Sequence, residues 1–234
     1  MSKIVQGNCL EVMKSFADGQ FDAVITDPPY GIDYQSAWRT ERLRKAKIAN
    51  DKTPAVEWVA EAFRVTKDGG CLACFCRWDV EHYFRNAISS AGWQIKSQVI
   101  WDKDVHSMGD LRGEFAPQHE NIIFAAKGRF TFPNVRPTTI LRHRRVSPER
   151  LLHPNEKPVA LMGNLARVLV PQGGSVIDPF FGSGALGVAS EQLGINCTGI
   201  EIDKQYIKLA QERLSQPSLL SQPTQGDRKE PSDE

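Results

Sequence analysis

Short unbroken apolar runs alternate along this chain with stretches in which apolar residues recur every three or four positions. The runs read as buried strands and the periodic stretches as amphipathic helices. Ile4-Val5 is a short strand, followed by a helix over Cys9–Phe16 marked by Leu10, Met13 and Phe16. Asn8 stands where an N-cap belongs, and Asp18-Gly19 ends the unit. Phe21–Ile25 is the next strand and leads into Asp27. Val56, Val59, Ala60 and Phe63 predict a helix over Ala55–Val65, closed by Asp68-Gly69-Gly70 ahead of a buried strand over Cys71–Cys76. A helix over Val80–Ala91 follows, then strands over Ile95–Trp101 and Ile122–Ala126 that are expected to pair. The last third reads as a helix over Val159–Val168, a strand Ser175–Ile177, a helix Ala185–Leu193, a strand Ile195–Ile200 and a helix Lys204–Leu214. Strands alternating with helices predict an α/β fold with a mostly parallel sheet, antiparallel at the late edge.

Two stretches break the pattern. Ile32–Lys52 is rich in arginine and lysine without a period, and reads as a loop or short helix. Lys127–Leu152 carries Pro133, Pro137, Pro148 and several arginines, and is too long for a simple connection. We expect one domain over residues 1–214, with 127–152 as an insertion that reads a target, and a disordered tail over 215–234. The 234 residues, 41% of them hydrophobic, suffice for one sizeable core.

Composition alone does not announce a polyanionic partner, because the formal net charge is only +1. Its distribution does more. Arg39, Arg42 and Arg44 cluster in the first irregular stretch, and Arg136, Arg142, Arg144 and Arg145 in the second. These are the expected contacts to a phosphate backbone and to base edges. The five cysteines lack secretory spacing, and no apolar stretch approaches membrane-spanning length. A soluble, cytoplasmic protein of a reducing compartment is expected, with no membrane partner. Cys71, Cys74 and Cys76 interrupt an apolar run with no distant pair to complete a tetrahedral set, so buried thiols are expected there and no metal.

Two turns carry the chemistry. In Asp27-Pro28-Pro29-Tyr30 the prolines end a strand ladder and stiffen the loop. They leave a carboxylate, a carbonyl and an aromatic ring at the carboxyl end of a strand, where open α/β sheets place ligands. The carboxylate and the carbonyl can each accept a hydrogen bond from one NH2 group, and the ring can stack on a flat heterocycle. The second turn, Asp178-Pro179-Phe180-Phe181-Gly182-Ser183-Gly184, joins a strand to a helix, and its glycines admit a ligand close to the backbone. Glu201, at the end of the following strand, is placed to bind two ribose hydroxyls. The third glycine of the dinucleotide fingerprint is out of place here. The negative Asp178 sits badly beside a pyrophosphate and well beside a cationic amino-acid head group, which points to S-adenosylmethionine rather than NAD.

These turns, with His153-Pro154-Asn155-Glu156-Lys157-Pro158-Val159, Ile100-Trp101-Asp102-Lys103 and His119-Glu120-Asn121, resemble the β-class amino-methyltransferases of DNA over most of residues 3–214. In that class the catalytic tetrapeptide precedes the cofactor turn, a circular permutation of the usual order. The resemblance implies a seven-stranded Rossmann-like sheet, S-adenosylmethionine as methyl donor, double-stranded DNA as substrate and a target base extruded from the duplex. It makes Asp27, Pro28, Pro29 and Tyr30 the catalytic loop. It places the donor's methionine end by Asp178, Phe180, Gly182, Ser183, Gly184 and Lys157, its ribose by Glu201 and Ile202, and its adenine by Asn8 and Cys9, with Asp27 also in contact with the cofactor. An opening aspartate favours adenine N6 as target, with cytosine N4 as the alternative. A non-catalytic DNA-binding module on the same fold is the reading from another class. A homodimer and a cognate restriction nuclease are further partners that the resemblance allows.

Overall fold

The computed structural model describes residues 1–31, 54–106, 112–147 and 156–216. The basic stretch with Arg39, Arg42 and Arg44, the segment His153-Pro154-Asn155 and nearly all of the tail lie outside the described residues.

In chain order the elements are β1 Ser2–Gln6, α1 Cys9–Met13, β2 Phe21–Thr26, α2 Trp58–Val65, β3 Thr66–Cys76, α3 Glu81–Ser90, β4 Gln94–Asp102 and β5 His119–Ala126. They continue with β6 Ile140–Arg142, α4 Val159–Leu169, β7 Ser175–Asp178, α5 Ala185–Leu193, β8 Asn196–Glu201 and α6 Lys204–Leu214. One eight-stranded sheet runs in the order β1-β8-β7-β2-β3-β5-β4-β6. Pairings are parallel from β1 to β3, β5 is antiparallel to both of its neighbours, and β4 and β6 pair parallel again. The late antiparallel edge is therefore as expected. The eighth strand is not: β6 lies inside the Lys127–Leu152 stretch and extends the seven-strand expectation by one edge strand.

Period-two alternation fills both faces of the sheet. Ala23 and Ile25 of β2, with Cys71, Ala73 and Phe75 of β3, pack against α4 and α5. Val24, Leu72, Cys74 and Cys76 point the other way, against α1, α2 and α3. Trp58, Phe75 and Phe84 are at most 1% exposed. Each contributes roughly 1.5–3 kcal/mol by leaving water. The cysteines of β3 are buried thiols within these cores.

Three boundaries differ from the sequence pattern for local reasons. The first helix closes at Met13, because Ser15 and Phe16 tighten into bonds three residues back, to Val12 and Met13. The second starts at Trp58 rather than Ala55, because the preceding chain is pinned to the proline loop by Ala55 N donating to Pro29 O and by the Tyr30–Pro54 bridge. Its end is sealed by Thr66 Oγ1 donating to Ala62 O, and β3 begins there rather than beyond Gly70.

Candidate active site

Strand order decides what meets at the carboxyl end of the sheet. β2 and β7 are parallel neighbours, with Val24 opposite Ile177. The loops that leave them, one starting at Asp27 and the other at Pro179, are therefore side by side. Thr26, fully buried, joins them by donating to Asp178 Oδ1 at 2.6 Å. On the other side of β7 come β8, which ends at Glu201, and β1, which leads to Asn8 and Cys9. Four consecutive carboxyl ends thus gather every described cofactor candidate of the sequence along one rim, Lys157 excepted.

The glycine turn is shaped by its own aromatic residue. Phe181 lies directly on β8, where a Cβ added to Gly199 would stand 2.1 Å from the Phe181 ring. Gly184 has φ +79°, and a Cβ there would come within 2.9 Å of Ala210 on α6. Glycine is needed at both places, for close approach at one and for a left-handed conformation at the other. Glu201 then clasps the turn. Its Oε2 accepts from Gly182 N at 2.8 Å, and its Oε1 accepts from Ile202 N and Asp203 N, both at 2.8 Å. Burial pushes this carboxyl up, although three backbone donors oppose it.

Arg213, unsuspected from sequence, is 7% exposed and reaches from α6 to donate to Ser183 O and Ser183 Oγ, both at 3.0 Å. The same guanidinium lies 2.9 Å from Glu156. It thereby ties the glycine turn to the segment that presents Lys157.

Asp178 is 4% exposed and also accepts from Phe180 N at 3.0 Å. Burial pushes its carboxyl up to about 7, against the hydrogen bonds from Thr26 and Phe180. Phe180 stands edge-to-face with Trp58, and Ile202 is 54% exposed at the rim. Asn8 caps α1, its Oδ1 accepting from Leu10 N at 2.9 Å. Burial raises the half-buried Cys9 thiol to about 11, which keeps it protonated and unreactive at neutral pH.

Asp27 is held by side chains. The Tyr30 hydroxyl donates to Oδ1 in a short contact, and Lys157 Nζ lies 2.5 Å from Oδ2. Tyr30 is 8% exposed, with its ring edge-to-face to Phe84. The resemblance assigned Lys157 to the donor's methionine end; here its ammonium sits between Asp27 and Glu120, 3.1 Å from Glu120 Oε2. Glu120 Oε1 in turn meets Lys103 Nζ at 2.8 Å. The result is a row of alternating charges, Asp27–Lys157–Glu120–Lys103, under the proline loop.

Burial raises the Asp27 carboxyl, and the Lys157 ammonium offsets only part of that. For Lys157 burial works against the charge, yet the two carboxylates outweigh it and hold the ammonium above its ordinary range. Burial would raise Glu120, but Lys157 and Lys103 hold it below the usual carboxylate range. Tyr30 is pushed far up by burial and by Asp27 beside it, so it stays a neutral donor.

The basic residues of the second irregular stretch lie elsewhere. Arg142 is on β6, four strands from β2, about 19 Å at ordinary strand spacing. Its side chain is 81% exposed and lies 3.6 Å from Asp102. Arg136 and Arg144 are exposed and Arg145 half-buried in the flanking loops. Among the described residues no group of three or more His, Cys, Asp or Glu could hold a metal, and no helix is long and apolar enough to cross a membrane.

Residues 21–212 match the N6/N4 methyltransferase family model described as DNA methylase. The chain is 33% identical over 219 residues to YubD of Escherichia coli strain K12, covering 92% of this chain and 91% of that one. Among solved structures it resembles the M1.HpyAVI–SAM complex, with TM-score 0.70, 24% identity, and 92% and 100% of the two chains covered. It also resembles the cytosine-N4-specific PvuII DNA methyltransferase, with TM-score 0.70, 14% identity, and 95% and 86% covered. With its proline loop and glycine turn on adjacent strand ends, and with this match over most of its length, the chain belongs to the N6/N4 family of DNA methylases.

Proposed function

We propose that the protein transfers a methyl group from S-adenosylmethionine to the exocyclic N6 of an adenine extruded from double-stranded DNA. The observation that carries this reading is the Thr26–Asp178 hydrogen bond, which couples the Asp27 loop to the glycine turn at the centre of the sheet. An amine held by one loop and a donor held by the other would meet between two adjacent strand ends. Membership of the N6/N4 family supports amine methylation, and the aspartate that opens the tetrapeptide favours adenine over cytosine.

The rim fits such a donor. A carboxylate at Asp178 suits its ammonium, Glu201 Oε2 has a lone pair left for a ribose hydroxyl, and the Cβ-free backbone at Gly182 and Gly184 admits its amino-acid end. Asn8 and Cys9 border the adenine. When bound, S-adenosylmethionine supplies a methyl on a sulfonium sulfur, which keeps the electron pair of the broken C–S bond as the new N–C bond forms.

The chain's own residues do the rest. The amine of a base is a weak nucleophile, because its lone pair is delocalised into the ring. Asp27 and the Pro28 carbonyl accept its two N–H bonds and turn that lone pair toward the methyl. These acceptors strengthen as the nitrogen gains positive charge, and Asp27, raised by burial, is suited to take the proton the nitrogen sheds. Tyr30 bears on the base from the same loop. The 127–152 insertion, with Arg136, Arg142, Arg144 and Arg145, contacts the duplex away from the target base.

The test is transfer of a labelled methyl from S-adenosylmethionine to unmethylated duplex DNA by the wild type and by Asp27→Ala. Labelled DNA with the wild type and none with the variant is expected. An equally active variant would overturn the assignment of Asp27.

A further inference from the structure

An amine that reaches Asp27 meets a carboxylate that already holds two donors. Both carboxylate oxygens are engaged, Oδ1 by the Tyr30 hydroxyl and Oδ2 by Lys157 Nζ at 2.5 Å. Each oxygen keeps a second lone pair, and a base NH2 that takes the Oδ1 or Oδ2 position competes with the donor already there. Tyr30 is part of the same short loop and is fixed by its bridge to Pro54 and by its contact with Phe84. Lys157 has somewhere else to go.

Glu120 Oε2 is buried and has no aligned hydrogen-bond donor among the described residues, although Lys157 Nζ is only 3.1 Å away. The ammonium, which has three hydrogens, is in ion-pair contact with this oxygen and lies closer to Asp27, at 2.5 Å. A buried carboxylate oxygen without an aligned donor is costly and accepts one readily. Glu120 is fixed at its other oxygen by Lys103, at 2.8 Å, so it waits in place. The rings of Phe75 and Trp101, with centroids 5.0 and 5.9 Å from Lys157 Nζ, line the ammonium's position and favour a cation there.

We infer that Lys157 is a placeholder for the target amine and that Glu120 is the positioning residue that takes the ammonium when the base arrives. This rests on the methyl-transfer reading given above. The hand-over needs only a small rotation at the end of the lysine side chain. It keeps Lys157 paired throughout: the ammonium leaves Asp27 for Glu120 as the amine's N–H takes its place on Oδ2, and Asp27 exchanges an ion pair for a hydrogen bond. Without a base, Asp27 stays neutralised by Lys157. With one, it is released where its acceptor is needed.

The groups that face Asp27 set the sign of the test. They are Tyr30 on its own loop, Cys74 and Cys76 on β3, Glu120 on β5, Lys157 ahead of α4 and Asp178 on β7, with Lys103 of the β4 end behind Glu120. Glu120 raises the Asp27 carboxyl and Lys157 lowers it. Removing each charge should therefore move the acid limb of the rate in opposite directions.

The experiment is the pH dependence of single-turnover methyl transfer to duplex DNA for the wild type, Glu120→Gln and Lys157→Met, with the S-adenosylmethionine Kd measured for each. In Glu120→Gln the ammonium has no charged alternative. The rate should fall about ten- to a hundredfold, with the acid limb about one unit lower and Kd unchanged. In Lys157→Met the acid limb should move to higher pH. Should Lys157→Met fail to fold, Lys103→Met replaces it: Glu120 then draws Lys157 away, and the acid limb again rises. In 15N-lysine spectra the Lys157 Nζ signal should shift when DNA and S-adenosylhomocysteine are added to the wild type and stay put in Glu120→Gln. Acid limbs that do not move, or that move together, would overturn the hand-over and leave methyl transfer standing. Wild-type protein that methylates no DNA would overturn the underlying reading and the hand-over with it.

Discussion

The chain leaves the sheet twice through an aspartate followed by proline, at Asp27-Pro28 and at Asp178-Pro179, from two strands that lie side by side. The two turns are furnished differently. Asp178 is held by a threonine hydroxyl and a backbone N–H, and the turn behind it is clasped through Gly182 N by Glu201, itself fixed by the N–H groups of Ile202 and Asp203. Asp27 is held by an ammonium and a phenol, both on side chains. Backbone donors cannot leave without unfolding the turn, whereas a lysine can rotate away. On the proposed reading, one turn is pre-organised for the cofactor and the other is occupied by a donor that can move. That is the division expected between a cofactor pocket and a reacting centre.

The largest break between the two is expected at Asp27. Asp27→Ala should lower methyl transfer about a thousandfold or more and leave S-adenosylmethionine affinity nearly unchanged, as read by single-turnover rates and calorimetry. Glu201→Ala should do the reverse. Loss of a hydrogen bond to a charged group, together with the hold on Gly182 N, weakens cofactor binding roughly a hundredfold, while transfer at saturating cofactor falls far less.

Asp178 sharpens the comparison through pH. Its carboxyl is raised from 3.8 to about 7, so the folded state holds the proton more tightly than the unfolded chain does. Stability from this group is full below about 4 and is lost as pH rises through about 7, up to roughly 4 kcal/mol. Asp178→Asn keeps an acceptor for Thr26 without the charge. The variant should melt several degrees above the wild type at pH 8 and together with it at pH 4, while binding S-adenosylmethionine about tenfold more weakly at pH 8. Scanning calorimetry at the two pH values checks both the sign and the window. The smallest effect is expected at the sheet edge. Arg142→Ala should weaken DNA binding uniformly across sequences and reduce the slope of log K against log salt by about one, measured by fluorescence anisotropy.

The parallel half of the sheet was legible in the sequence, because each of its strands is a short apolar run and its glycine turn announces itself. Ala185–Leu193 and Lys204–Leu214 fall where the periodicity puts them. What was not legible lacks a local signature. Ile140–Arg142 is a three-residue edge strand among prolines and arginines, and it forms only because β4 offers it a partner. Lys67-Asp68-Gly69-Gly70 opens β3 with polar residues that a hydrophobic pattern cannot see. The buried charges were the hardest to read. Glu120 stands on β5 between His119 and Asn121, and Arg213 lies in the last turn of α6, where a basic residue is ordinary. Both matter through partners distant in sequence, as Lys157 does for Asp27 across 130 positions. The motif around Lys157 marked it as functional, but only the fold shows which carboxylates it joins.

The most direct test of the account is nucleoside mass spectrometry of unmethylated duplex DNA incubated with the protein and S-adenosylmethionine. The account predicts N6-methyladenine. N4-methylcytosine would contradict the choice of base, and DNA left unmodified by protein that binds the cofactor would contradict the assignment of duplex DNA as its substrate.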